Sequence, residues 1–452
     1  MEQNQLGTGK IAPLVMKLAF PLIIAQLVNG LYNIVDRIYL GHLEGAGAEI
    51  LTGVGITYPV ILLITAFSNL IGSGGGPLAA IRLGQKENKK AEEILAVSAT
   101  SLLVLSAMLM VVFYLLKTPL IYLFGASDKT FVHANEYLTI YLIGTPFVQL
   151  TLGLNPFISA QGKTTMSMLT VVIGAALNIA LDPLFIFVFD MGAAGAAIAT
   201  VISQAVSGIY VVAILSGKHS TMKLNLKKPV IRKNVLLPIM ALGVSPFIMS
   251  ATEAAISVAF NSRLQVLGGD MAVGTMTIFS SILTFINMPV NGMNQAVTPL
   301  ISYNFGAALD NRVKGIYRFS LVVEFAYCFI MSCLCNIFPG TVIGMFTTDS
   351  TLINYAIPYM KFFITGMALF GMQCCSQQTF IGLGQAKISL FLAIFRKIIL
   401  LIPLVFILSS TPLGITGVFL AESISDALSA TVTETVFLAK LSKILRKGAP
   451  KP

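Results

Sequence analysis

Pro77-Leu78-Ala79-Ala80-Ile81-Arg82-Leu83-Gly84-Gln85 returns later in the chain as Pro299-Leu300-Ile301-Ser302-Tyr303-Asn304-Phe305-Gly306-Ala307, with proline and glycine both displaced by 222 residues. Working outward, Phe157-Ile158 matches Phe380-Ile381 at 223, and Gly192 and Gly195 match Gly414 and Gly417 at 222. Landmarks spread so far that still hold one register mark a duplicated chain.

The duplicated unit belongs in a membrane. The 452 residues are 56% hydrophobic and only 11% charged, against about 25% charged in soluble domains, and the mean hydropathy is +0.85. Apolar stretches long enough to cross about 30 Å of hydrocarbon run over 14-40, 52-78, 93-116, 136-160, 165-189, 192-216, 233-260, 273-300, 316-338, 355-380, 387-408 and 414-440. The fold class is therefore all-α integral membrane, with twelve transmembrane helices. Six spans per copy is an even number, so the copies share one orientation. They form two pseudo-symmetric six-helix bundles in a parallel repeat, a transporter plan with its substrate near mid-membrane. The expected division is an N-terminal lobe over 1-216, a cytoplasmic linker over 217-232 and a C-terminal lobe over 233-452.

The formal net charge of +10 follows topology and does not call for nucleic acid. With alternate loops assigned to alternate sides, 22 of the 29 lysines and arginines fall on one face, including the basic linker and the five from Lys440 to Lys451. By the positive-inside rule that face is cytoplasmic, and both termini lie inside the cell membrane. The first span follows the polar stretch Glu2 to Lys10, is too long for a signal-peptide core and lacks a small-residue cleavage pattern, so it reads as an anchor. Cys328, Cys333, Cys335, Cys374 and Cys375 all fall in spans and read as buried thiols.

Two acids stand out against this background. Asp36 and Asp182 sit in apolar runs, each 19 residues after a lysine at the cytoplasmic edge, Lys17 and Lys163. At about 1.5 Å of rise per residue both stand roughly 28 Å above that edge. Ionisable groups at such a depth are costly and mark ion or substrate pathways. Asn178 precedes Asp182 by four residues and shares its helix face, Tyr32 precedes Asp36 by one turn, and Thr200 reaches a similar level on the sixth span. Carboxylates with an amide and a hydroxyl offer oxygen ligands for a proton or a hard cation such as sodium, and two close carboxylates titrate as a unit. In an alternative reading each aspartate caps an outer helix end, although Asp182 is followed by Pro183 and the apolar run Leu184 to Phe189.

Glu253 is an acid inside the seventh span; it reads either as a second coupling site or as the partner of Arg396 or Lys397, which are expected to reach a watery cavity. Glu324 and Glu422 lie near enough to span ends to carry little signal. Gln161-Gly162-Lys163-Thr164-Thr165 has the tail of a phosphate-binding loop, yet Phe157 stands where its first glycine belongs and no strand precedes it. His42, His133 and His219 are isolated in loops, and no nucleophile and base pair suggests an enzyme. Nineteen Met and twenty-nine Phe suit an adaptable apolar cavity that attracts organic cations, and serve equally as lipid-facing filler.

Val35-Asp36-Arg37 with Leu40-Gly41, Leu83-Gly84-Gln85, Gln161-Gly162-Lys163, and above all Asn178 to Pro183 followed by Gly192-Ala193-Ala194-Gly195-Ala196-Ala197-Ile198-Ala199-Thr200 resemble the multidrug and toxic compound extrusion (MATE) family, in its multidrug-efflux branch, over nearly the whole chain. The resemblance implies a V-shaped pair of bundles that exchanges H+ or Na+ for lipophilic, often cationic drugs. It maps the ion-coupling set onto Asp36, Asn178, Asp182, Thr200 and Asn155, and the bending proline of the first span onto Pro21. The rise ruler sets Asn155 only about 12 Å from Lys163, below the aspartates. Glu253 resembles the seventh-span acid of sodium-coupled members, whereas Gly371-Met372-Gln373 and Gln377-Gln378 stand where some of them carry a tenth-span aspartate.

The expected function is thus drug-cation antiport by alternating access, with Tyr32, Tyr137 and Glu253 lining the substrate cavity. The expected partners are small-molecule drugs or organic cations, H+ or Na+, and membrane lipids, for a monomer with no cofactor and no metal other than Na+ at the Asp36/Asp182 site. A lipid-linked oligosaccharide flippase of the same superfamily is the alternative, and would need a basic cavity. A channel would need rings of like residues, which twelve unlike spans do not provide.

Overall fold

The computed structural model describes residues 4–41, 43, 47–218, 220–225 and 230–448; Glu2, His42, His219, Lys227, Lys228 and Lys451 lie outside the described residues. The first half consists of α1 (Ile11–Gly41), α2 (Gly47–Gly84), α3 (Asn88–Leu123), a bent α4 (Asp128–Ile143 and Thr145–Ala160), α5 (Thr164–Pro183, continued by a π turn over Leu184–Val188) and α6 (Gly192–Ser216). The second half opens with 74 nearly continuous helical residues, Lys233–Gly306, which a kink at Gly269 with φ 60° and ψ −154° divides into α7 (233–268) and α8 (270–306). It continues with α9 (Asp310–Ile337), an interrupted α10 (Ser350–Ile364 and Met367–Gly382), α11 (Ala386–Ser409, with a π-helical stretch over Phe395–Leu401) and α12 (Ile415–Lys447).

Among the described residues nine helices are long and apolar enough to cross a membrane, and ten when the two segments of α4 are joined. Lys233–Gly306 counts as one of these, yet at about 1.5 Å per residue its two helices sum to roughly 110 Å and cross twice. Joining the segments of α10 supplies the twelfth span. The twelve expected helices are all present, and they overrun the hydrocarbon at both ends because backbone groups beyond the lipid still close their hydrogen bonds along the helix. The gap expected between spans seven and eight shrinks to the single left-handed Gly269.

The 222-residue register is written into the backbone. The 58° bend in α4 falls at Gly144 and the break in α10 at Thr365 and Gly366. Positive φ angles recur at Lys86 and Ala308, at Gly162 and Gly384, and at Gly192 and Gly414. The halves also cross one another symmetrically: a Cβ on Gly84 would lie 2.0 Å from the Tyr303 carbonyl, and one on Gly306 2.1 Å from that of Ile81. Glycine lets α2 and α8 touch backbone to backbone at their C-terminal ends, as small residues do in membrane helix pairs.

α1 is shared between the halves. Leu14, Leu18 and Leu22 pack with Val297, Ile301 and Phe437 of the second half, whereas Leu40 packs with Ile64, Leu138 and Ile186 of the first. Pro21 stands near this changeover, where it has no N–H to donate to the Lys17 carbonyl one turn earlier.

Candidate ion-coupling site in the first bundle

On α5, Asn178 and Asp182 share one face, and the Asn178 Nδ2 donates to Asp182 Oδ1 at 3.1 Å. The same nitrogen lies 3.5 Å from Thr200 Oγ1 on α6. Two features of the sequence bring these helices together. Pro183 cannot donate to the Ile179 carbonyl, and the helix widens into the π turn immediately after Asp182. The small residues of the Gly192 to Ala199 run then let α6 approach, so closely that a Cβ on Gly195 would meet the Phe185 carbonyl at 2.7 Å.

Asp182 is fully buried and Asn178 is 2% exposed, and the pair leaves Asp182 Oδ2 and Asn178 Oδ1 buried without a hydrogen-bond partner. Around it, α4 supplies the buried Tyr137, whose ring stacks on Tyr141 at 6.2 Å. α1 supplies Asp36, partly buried and within Coulombic range of both Asp182 and Tyr137. A small cavity of about 30 Å³ opens beside the group, lined by Asn29 and Tyr32 of α1, Asn178 of α5, and Thr200, Ser203, Gln204 and Ser207 of α6.

An ionised carboxylate in such a place costs several kcal/mol unless it is compensated. None of the ion pairs among the described residues reaches Asp182. A proton on Oδ2, or a monovalent cation drawn to the unpartnered oxygens, removes the penalty. Two carboxylates in mutual range sharpen the effect, because neutralising one relieves the other. No group of three or more His, Cys, Asp or Glu among the described residues could hold a metal ion, so a sodium ion here would rest on Asp36, Asp182 and the neutral oxygens of Asn178 and Thr200.

The other expected site residues are distributed as follows. Asn155 sits lower, as the rise ruler indicated: its Nδ2 donates to the Ser167 carbonyl at 3.3 Å and to Thr170 Oγ1, two turns of α5 before Asn178. Glu253 forms an ion pair with Lys397, one of the two partnerships left open. Arg396 and Lys397 are themselves only 7% and 6% exposed, although Lys397 meets a Glu253 that keeps 56% of its side-chain surface. The Arg396 guanidinium donates twice to Asp426 Oδ1, at 2.7 and 3.1 Å, lies 3.6 Å from Glu422 and stacks over the Phe370 ring at 4.6 Å. Glu324 and Glu422, given little weight from sequence, are both buried. Sequence reasoning also missed Tyr141 and the polar stripe of α6; the spacing of Tyr137 and Tyr141, and of Thr200, Ser203, Gln204 and Ser207, carries that signal.

A family model described as MatE matches residues 21–184 and 246–407. "Multidrug export protein MepA" of Staphylococcus haemolyticus (strain JCSC1435) is 28% identical over 418 residues, covering 92% of this chain and 90% of that one. Two solved structures superpose over nearly the full length. One, described as MATE in the bent conformation, gives a TM-score of 0.92 at 23% identity and covers 99% of each chain. The other, an outward-facing multidrug resistance MATE family transporter, gives 0.91 at 24% identity over 98% of this chain and 99% of that one. These likenesses fix the fold.

Proposed function

The chain belongs to the MatE family, and we propose that it exports lipophilic, often cationic drugs in exchange for a proton or sodium ion. Drug export comes from its multidrug-exporting relatives. The exchange rests on one observation, the buried Asn178–Asp182 pair with its two unpartnered oxygens beside a cavity lined by α1.

In this reading the outward-loaded cation binds at Asp182 with Asp36. Neutralising the pair removes the repulsion between α5 and the outer half of α1. That half then moves relative to the inner half, which is packed into the second bundle, with Pro21 as the weak point where a hydrogen bond is missing. The cavity beside Tyr32 and Tyr137 contracts and the drug leaves. The lobes over 1-216 and 233-452, joined by 217-232, alternate access as a monomer in the cell membrane with both termini in the cytoplasm. The chemistry is transport and not catalysis.

Asp182→Asn keeps the shape and hydrogen bonding of the protonated acid but cannot release a cation. With normal membrane expression it should no longer export a cationic dye such as ethidium; retained export would remove Asp182 from the mechanism. In reconstituted vesicles, dye uptake driven by an imposed proton gradient alone, or by an imposed sodium gradient alone, identifies the ion.

A further inference from the structure

The second bundle contains the same hydrogen-bonding arrangement on residues unrelated by the repeat. Glu324 of α9 is 2% exposed and Asn294 of α8 is 5% exposed. Asn294 Nδ2 donates to Glu324 Oε2 at 3.1 Å, while Glu324 Oε1 and Asn294 Oδ1 are buried without a partner. At offset 222 Glu324 corresponds to Leu102 and Asn294 to Gly72, so the pair is not a copy of Asn178 and Asp182.

No Lys or Arg among the described residues forms an ion pair with Glu324. The titratable groups that face it are thiols: Cys328 on its own helix, and Cys374 and Cys375 on α10. Beyond them, Asp426 of α12 acts on Cys328 and Cys374, Glu434 on Cys375, and Arg396 on Cys374. Arg396 is already held by Asp426 and Glu422. An ionised Glu324 would keep a full charge in the bundle core on one neutral hydrogen bond, the arrangement that buried acids avoid by binding a proton. One proton on Oε1 supplies an O–H that can donate to Asn294 Oδ1, and both unpartnered oxygens are then satisfied as a two-bond acid–amide pair.

The geometry points to Glu324 as a second proton site, occupied throughout the transport cycle, whose resident proton fastens α8 to α9. α10 closes on this part of α9 so tightly that a Cβ on Gly371 would lie 2.4 Å from the Glu324 carbonyl. What it fastens matters, because Gly292, two residues before Asn294, is the point of α8 that touches the α1 backbone: a Cβ there would lie 2.6 Å from Ile23 Cα, just past Pro21. Glu324 is therefore a positioning residue for the surface on which α1 bends. The assignment does not depend on which ion Asp182 carries.

Infrared difference spectra of the purified full-length protein, wild type minus Glu324→Gln, test it. The expected result is a carbonyl band of an undissociated carboxylic acid that persists from acid to alkaline pH, with Glu324→Gln exporting dye within about twofold of wild type and with an unchanged pH profile. Asn294→Ala should shift the same band in a protein that keeps the acid, which preserves the test if Glu324→Gln does not fold. A carboxylate band in place of the acid band, a band that titrates, or loss of export in well-folded Glu324→Gln would overturn the resident proton. The last two would make Glu324 an exchanging site.

Discussion

The two bundles share a backbone plan but differ in how they accommodate most of their buried charge. In the first, Asp182 hydrogen-bonds to the Asn178 amide and lies within Coulombic range of Asp36. In the second, Arg396 sits between Asp426 and Glu422, and Lys397 meets Glu253. Among the described residues no ion pair reaches Asp182 in the first bundle, whereas the second pairs Asp426, Glu422 and Glu253 with its own Arg396 and Lys397 and leaves Glu324 without one. A duplicated fold can therefore divide labour without changing a helix, because a single Arg or Lys decides whether a carboxylate is a binding site or a structural tie.

The sharpest break of that contrast is Arg396→Ala. It strands Asp426 and Glu422 in a site where both are buried, and removing one member of a buried pair costs about 3–5 kcal/mol. The melting temperature in detergent should fall steeply, and the triple variant Arg396→Met, Glu422→Leu, Asp426→Leu should recover it, since apolar replacement of the whole group restores neutrality. Asp182→Asn should leave melting unchanged or raised, having no cation to strand. Equal losses from Arg396→Ala and Asp182→Asn would erase the distinction between the bundles.

The sequence made the first bundle's acids legible because each lies in an apolar run with almost no other charge, and a fixed rise per residue turns spacing into depth. The same ruler set Asn155 below them, where it pairs with Ser167 and Thr170. The second bundle was harder to read. α12 is studded with polar side chains from Glu422 to Thr435, so Asp426 does not stand out, and its partner Arg396 is 30 residues away. Pairing between helices depends on their rotation about their own axes, which composition does not encode. Glu324 was discounted for its nearness to a span end, yet the helices overrun the membrane and α10 packs over it. The repeat, by contrast, was visible as residues and returned as backbone angles at the same offset.

A middle-sized effect tests what the bundles have in common. Gly84→Ala and Gly306→Ala each force a methyl group toward a carbonyl oxygen, Tyr303 in one case and Ile81 in the other, at nearly the same distance. Overpacking of this kind costs about 1–3 kcal/mol. Because the two contacts are related by the repeat, the losses in melting temperature should agree between the variants. A large loss in one and none in the other would mean that the crossing is held from one side only.

The smallest effect separates structure from function most cleanly. Lys397 is buried but its partner Glu253 keeps 56% of its side-chain surface, so Lys397→Met leaves a carboxylate that water can still solvate. The stability change should be about 1 kcal/mol or less, because the carboxylate left behind is more than half exposed. What should change is recognition, because the lysine ammonium occupies the position that a cationic ligand would seek. Freeing Glu253 should tighten binding of a cationic dye by at most about tenfold, equivalent to about 1.4 kcal/mol, and leave a neutral substrate unaffected, as read by equilibrium titration of the purified protein. Equal gains for cationic and neutral ligands would trace the effect to altered packing of α11, and the charge difference between the bundles would lose its role in selecting what each one binds.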